Sequence, residues 1–238
     1  MRPIASAPSR TQQVYAMIRD SICDCTFEAG THLVQEELAA RLGVSRQPVQ
    51  QAMLLLKSEG LVVEKGARGL YVAPIDAPGI TQRYQIRLVL DQLAGQLVAG
   101  LAAASGAFAR DLRKRGEAII TDGLAASNRG DVRDTVAHDV AFHSFLYEMS
   151  GNPLIASTAE PHWHFLRRVM MEVFLKSGRG DLVWQQHRDI LEAVVSGDVA
   201  RAHEQVTGHV EGAQAALLRI ISTASHPNGP AELQPGGA

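Results

Sequence analysis

Two amphipathic runs, Leu33–Leu42 and Arg46–Glu59, are separated only by Gly43-Val44-Ser45. So short a break forces the second run to cross the first at close quarters. Gly43 suits the left-handed residue that ends a helix, and Ser45 suits the N-cap of the next. Ala39 supplies a small residue where two helices cross, and Val49, Met53 and Leu56 repeat at helical spacing as apolar anchors. That leaves Ser45, Arg46, Gln47, Gln50 and Gln51 at the exposed start of the second helix. Upstream, Val14, Ile18 and Ile22 share one face of a further helix. Downstream, Leu61–Glu64 and Gly69–Val72 read as short strands joined by a turn over Lys65–Arg68. The pattern predicts a helix-turn-helix with a hairpin wing. Arg and Gln on such a helix can pair with guanine and adenine edges in the major groove. Lys65 and Arg68 at the wing tip would lie beside phosphate or the minor groove. The alternative is a plain helical hairpin with a solvated polar face.

The rest of the chain has another texture. Pro74–Pro78 holds two prolines around one acid and marks a linker, taken as residues 75–78. From Ile80 to Ile221 no strand is legible. Glycines divide the stretch into about six helices: 79–104, 108–127, 131–150, 153–176, 180–196 and 198–222. The fold class is therefore mainly α. A winged helix-turn-helix at 10–74 precedes an all-helical bundle at 79–222, with flexible tails at 1–9 and 223–238. At 238 residues and 46% hydrophobic content, the chain has material for a real core and is neither disordered nor collagen-like. Net charge is −2, so any nucleic-acid contact must be local. Up to residue 75 there are 8 basic and 7 acidic side chains; beyond it there are 15 and 18. Cys23 and Cys25 are too close for an unstrained disulfide and read as reduced thiols. No signal peptide is legible. The stretch Leu88–Ala109 lacks Lys and Arg but carries Asp91, Gln92 and Gln96, so it reads as a packed helix and not a membrane span. A cytoplasmic protein with no membrane partner is the expectation.

Seven of nine histidines fall between 138 and 209. Asp139 and His143, at i and i+4, share a helix face, and His187 and His209 lie on the next helices but one and two. One carboxylate with three imidazoles suits a borderline divalent metal, while an Asp–His ion pair is the simpler alternative. His162 and His164 flank Trp163 and cannot both face one metal. His138 and His203 read as surface residues, and Arg113-Lys114-Arg115 as a solvated face. Cys23-x-Cys25 has no second pair to complete a zinc site. A metalloenzyme is conceivable, yet no H-E-x-x-H or other catalytic signature is present.

The run Val14-Tyr15, Ile18-Arg19, Gly30, Leu33, Glu37-Leu38-Ala39, Leu42-Gly43-Val44-Ser45-Arg46, Pro48-Val49 and Glu59-Gly60-Leu61-Val62 resembles the winged helix of GntR-type bacterial transcriptional regulators. Gln50 departs from that pattern, which commonly has Arg after Pro-Val, and Cys25 stands where Gly is common. Asp139-x-x-Phe142-His143, Ser150-Gly151-Asn152-Pro153-Leu154, His187-x-x-Ile190 and His209 resemble the FCD ligand-binding domain of the FadR-like branch. The resemblance implies a ligand-responsive regulator, by default a repressor. It would bind a double-stranded operator as a homodimer through Ser45, Arg46, Gln47, Gln50, Lys65 and Arg68. It implies one divalent metal per subunit on Asp139, His143, His187 and His209: zinc first, with nickel or manganese as alternatives. A small carboxylate or sugar acid would bind beside the metal and be gripped by Arg87, whose simpler reading is a salt bridge to Asp91. A regulator that senses the metal itself is the other alternative.

Overall fold

A computed structural model describes residues 8–66, 69–177 and 181–224. The first unit consists of α1 (Arg10–Cys23), α2 (Gln35–Leu42), α3 (Arg46–Ser58), β1 (Val62–Lys65) and β2 (Gly69–Val72). Ser9 starts α1 through a reciprocal capping box with Gln12. Gly43 follows α2 at φ 64°, a conformation that would strain a side chain, and the chain turns there into α3. Ser45 is the N-cap of α3, but its hydroxyl makes no capping hydrogen bond. The strands pair antiparallel with Val62 opposite Val72. Leu33 and Gly30 donate to Leu70 and Val72, which ties the segment before α2 onto the hairpin.

Six further helices follow among the described residues: α4 (Ala77–Ala104), α5 (Gly106–Asn128), α6 (Val132–Met149), α7 (Pro153–Ser177), α8 (Asp181–Val195) and α9 (Val199–Ala224). The linker is shorter than its prolines suggest, because Asp76 caps α4 through the backbone N–H of Gly79 and Pro78 falls in the helix's first turn. Helix α4 is long and apolar enough to cross a membrane. Here it packs along α9 and against α8, α6 and α7. It buries Ile80, Tyr84, Ala94, Val98 and Ala99, and with them an ion pair, Arg87 with Asp91. Gly116 and Gly123 let α5 approach α8, since a Cβ at Gly123 would overlap the Trp184 ring. The Arg113–Arg115 stretch faces solvent as expected, and within that face Arg113 pairs with Glu192 of α8, and Arg115 with Glu148 of α6 while lying over Phe145. One apolar core runs through both units.

Candidate functional site

The outward face of α3 is polar because Val49, Ala52, Met53 and Leu56 take its inner face. Ser45, Arg46, Gln47 and Gln50 are exposed at its start. Arg46 contacts Glu36 of α2 at 3.2 Å. Lys65 is exposed at the end of β1, over the Tyr71 ring. Lys57 bonds Glu64 at 2.6 Å and fixes the hairpin to α3. Arg68 lies outside the described residues.

The second site sits inside the bundle. Asp139 and His143 come from α6, His187 from α8 and His209 from α9, and all four are buried. One nitrogen from each of the three histidines lies within 4.8 Å of the others. His187 Nε2 is 3.4 Å from Asp139 Oδ1, too poorly placed for a hydrogen bond, and Asp139 Oδ2 and both His187 nitrogens have no hydrogen-bond partner among the described residues. Buried polar atoms left this way are costly unless something binds them. The other two rings have their tautomers set by neighbours. His143 Nδ1 donates to Asp91 at 3.1 Å, and His209 Nδ1 donates to Gln186 Oε1 at 3.1 Å. Both Nε2 atoms then carry lone pairs, and they face each other at 3.3 Å. The Arg87 guanidinium, donating to His143 Nε2, already places a cation beside this contact. Burial, reinforced by the neighbouring histidines and Arg87, pushes His187 well below its ordinary value; burial, His143 and Arg87 do the same to His209. Neutral imidazoles are what a divalent metal requires, and burial favours that form at His187 and His209. The donor set fits such an ion.

Arg87 occupies the open side. Its guanidinium donates to His143 Nε2 at 2.7 Å, to Asp91 at 3.2 Å and to the Tyr84 hydroxyl at 3.3 Å, and lies 4.5 Å from the centre of the Trp163 ring. Tyr147 donates to the other Asp91 oxygen. Burial pushes the Asp91 carboxyl up, but His143, Arg87 and Tyr147 outweigh it and hold it at about 2. Burial also works against the Arg87 charge; Tyr84, Asp91, Asp139 and Tyr147 outweigh it and raise its pKa. The salt-bridge reading of Arg87 and its place beside the histidines therefore hold together. Sequence reasoning missed Tyr84, Tyr147, Trp163 and Gln186. Tyr84, Arg87 and Asp91 form an i, i+3, i+7 polar stripe on an apolar helix, and Tyr147 lies four residues after His143; either spacing points to them.

His164 is the other miss. It faces away from the histidine cluster, with Nδ1 3.1 Å from Glu59 Oε2 at the end of α3. Tyr15 donates to Glu59 Oε1 at 2.5 Å, and Arg83 donates to the Glu59 carbonyl at 3.1 Å. Cys23 donates to the His164 carbonyl. His138 pairs with Asp134, and half-buried His203 meets Gln96; the surface reading of His203 is thus corrected, since it sits between α4 and α9.

A helix-turn-helix with a hairpin wing, joined to a helical bundle with a buried polar centre, defines a two-part DNA-binding regulator. Residues 10–72 match the bacterial regulatory proteins of the gntR family, and residues 82–212 match the FCD domain. The chain belongs to the GntR family, in the branch with an FCD domain. It is 25% identical to the HTH-type transcriptional repressor RspR of Escherichia coli over 88% of this chain and 89% of that one. It is 27% identical to the Uxu operon transcriptional regulator of the same species, covering 92% and 91%. The crystal structure of a GntR regulator from Rhodococcus sp. RHA1 superposes with a TM-score of 0.75 at 27% identity, covering 88% and 98%. The chain is thus a transcriptional regulator, and the metalloenzyme alternative is set aside.

Proposed function

We propose that this regulator is a cytoplasmic homodimeric repressor whose grip on its operator is set by a small carboxylate or sugar acid bound beside a divalent metal, zinc first, in the bundle. The observation that carries it is the clustering of three buried histidine nitrogens beside Asp139 Oδ2 and two His187 nitrogens that have no hydrogen-bond partner among the described residues. Asp139, His143, His187 and His209 would hold the metal, which when bound supplies positive charge and open positions for a carboxylate. Arg87 would turn from His143 to the acid's far end, where its planar fork suits a carboxylate. The repressor sense rests on the kinship with RspR. Residues 10–74 would act as the DNA-binding unit and 79–222 as the sensing unit, joined at 75–78. Ser45, Arg46, Gln47, Gln50, Lys65 and Arg68 would meet DNA.

A two-fold dimer suits a two-fold operator. Ile86, Val89, Leu93, Leu97 and Leu101 lie exposed along one side of α4. At 1.5 Å per residue this stripe is about 22 Å long, and a second copy of α4 would cover it. Coupling runs through α7. Trp163 touches Arg87 and His143, and the next residue, His164, holds Glu59 at the end of α3.

The test is operator affinity with and without a panel of organic acids, at fixed salt and metal. A best-binding acid that shifts affinity by about 5–150-fold supports the reading. A shift under about twofold makes the metal structural and removes the sensor role. Metal content unchanged in a His143→Ala/His187→Ala double variant removes the site.

A further inference from the structure

Eight side chains are exposed on α3: Arg46, Gln47, Gln50, Gln51, Leu54, Leu55, Lys57 and Ser58. Four of them have partners within the protein. Arg46 meets Glu36, Gln51 accepts from Thr11 of α1 at 2.8 Å, Lys57 meets Glu64, and Ser58 donates to the Leu55 carbonyl of its own helix at 2.7 Å. Among the rest, Gln47, Gln50 and Leu54 stand at i, i+3 and i+7. They form one outward stripe about 10 Å long, a reach of about three base pairs. Leu54 is the anomaly. It is 64% exposed, while Leu56 on the same helix is fully buried. Gln50 and Leu54 line the same shallow groove beside the hairpin.

This deepens the DNA-binding reading and rests on it. We propose that the stripe reads A·T pairs: Gln47 and Gln50 on adenine, and Leu54 on a thymine methyl. The stripe carries no arginine, so it lacks the rigid donor fork that guanine O6 and N7 accept. A glutamine amide offers one acceptor and one donor, which match adenine N6–H and N7. An isobutyl group in the major groove has one apolar base substituent to meet, the thymine 5-methyl. Burying it there removes from water a side chain that the fold leaves exposed. Arg46, one residue off the stripe, serves as a flanking cation.

The experiment uses the full-length protein to select from a random duplex pool at fixed salt. Half-sites with about three consecutive A·T pairs at the core are expected. In the selected site, replacing each core thymine by deoxyuridine removes only the methyl. At one position this should weaken binding several-fold, and Leu54→Ala should erase the difference. Gln50→Arg should move the preference at one pair from A·T to G·C by on the order of tenfold or more. Both side chains are exposed, and matched melting temperatures confirm that the variants fold. Three outcomes overturn the proposal while leaving DNA binding intact: G·C at the core, an unchanged preference in Gln50→Arg, or a uracil penalty that persists in Leu54→Ala. Binding with no salt dependence and no enrichment overturns the DNA-binding reading as well.

Discussion

Arg87→Met tests the buried polar centre most directly. Arg87 and Asp91 are each 3% exposed, and the guanidinium bonds Asp91, Tyr84 and His143 at once. Removing the cation leaves the Asp91 carboxylate in the core with Tyr147 and His143 alone. Breaking a buried pair from one side costs about 3–5 kcal/mol, because an uncompensated charge stays behind. For a chain of this size, each kcal/mol moves the melting temperature by roughly 2–4 °C, so a drop on the order of 10 °C is expected. Asp91→Asn leaves Arg87 uncompensated and should cost a similar amount. The double variant removes both charges and should be more stable than the sum of the singles predicts, by about 2–3 kcal/mol. Urea denaturation of the four metal-free proteins completes the cycle. Additivity within about 0.5 kcal/mol would refute the reasoning and reduce the pair to independent hydrogen bonds. Arg87→Ala is for the same reason a poor effector-blind variant, since loss of response and loss of fold would coincide.

Gly123→Ala should destabilise by about 1–3 kcal/mol, because the new methyl meets the Trp184 ring. Gly212→Ala in α9, where a Cβ meets nothing within 4 Å, should instead stabilise by up to about 1 kcal/mol; equal effects in chemical denaturation would discredit the packing argument. Burial raises the Cys23 thiol to about 12. At pH 8 its thiolate fraction is on the order of 10⁻⁴, so iodoacetamide should leave Cys23 unlabelled in native protein and modify it after unfolding, as read by peptide mass. His164→Phe keeps a ring at the junction but loses the Glu59 contact. It should shrink the acid-induced change in operator affinity, and an undiminished response would exclude this route.

The period of the apolar residues made the helices legible, because each helix hides one face in a shared core. The α2–α3 crossing and the hairpin were legible for a different reason: Gly43 and Gly66 adopt left-handed backbone geometry that few residues permit. Asp139 with His143 showed itself through i, i+4 spacing. The partners that shape the centre did not. Gln186 reaches His209 from another helix, and Asp91 reaches His143 from 52 residues away, so no local pattern joins them. His164's partner was hidden for a related reason: Glu59 lies 105 residues away, and consecutive helical residues such as Trp163 and His164 point about 100° apart and serve different neighbours.

That divergence at Trp163 and His164 bears on how the two units communicate. Residues 75–78 join the two units, but the end of α3 is also held by side chains from two bundle helices. Arg83 of α4 binds the Glu59 carbonyl, and His164 of α7 faces its carboxylate. The same two helices supply Arg87 and Trp163 to the buried centre. Withdrawing Arg87 from His143 therefore disturbs α4 and α7 together, one turn or less from the residues that clamp Glu59. In the proposed reading DNA would be met from the opposite, N-terminal end of α3 as far as Leu54. A helix clamped at one end and reading bases at the other is sensitive to small rotations of the clamp, since three turns of helix magnify them at the groove. Inserting Gly-Ser into 75–78 should then weaken coupling less than Glu59→Gln, which leaves the linker untouched. Operator titrations of both variants, with and without acid, decide between the routes: a larger loss from the linker insertion gives the main part to the linker.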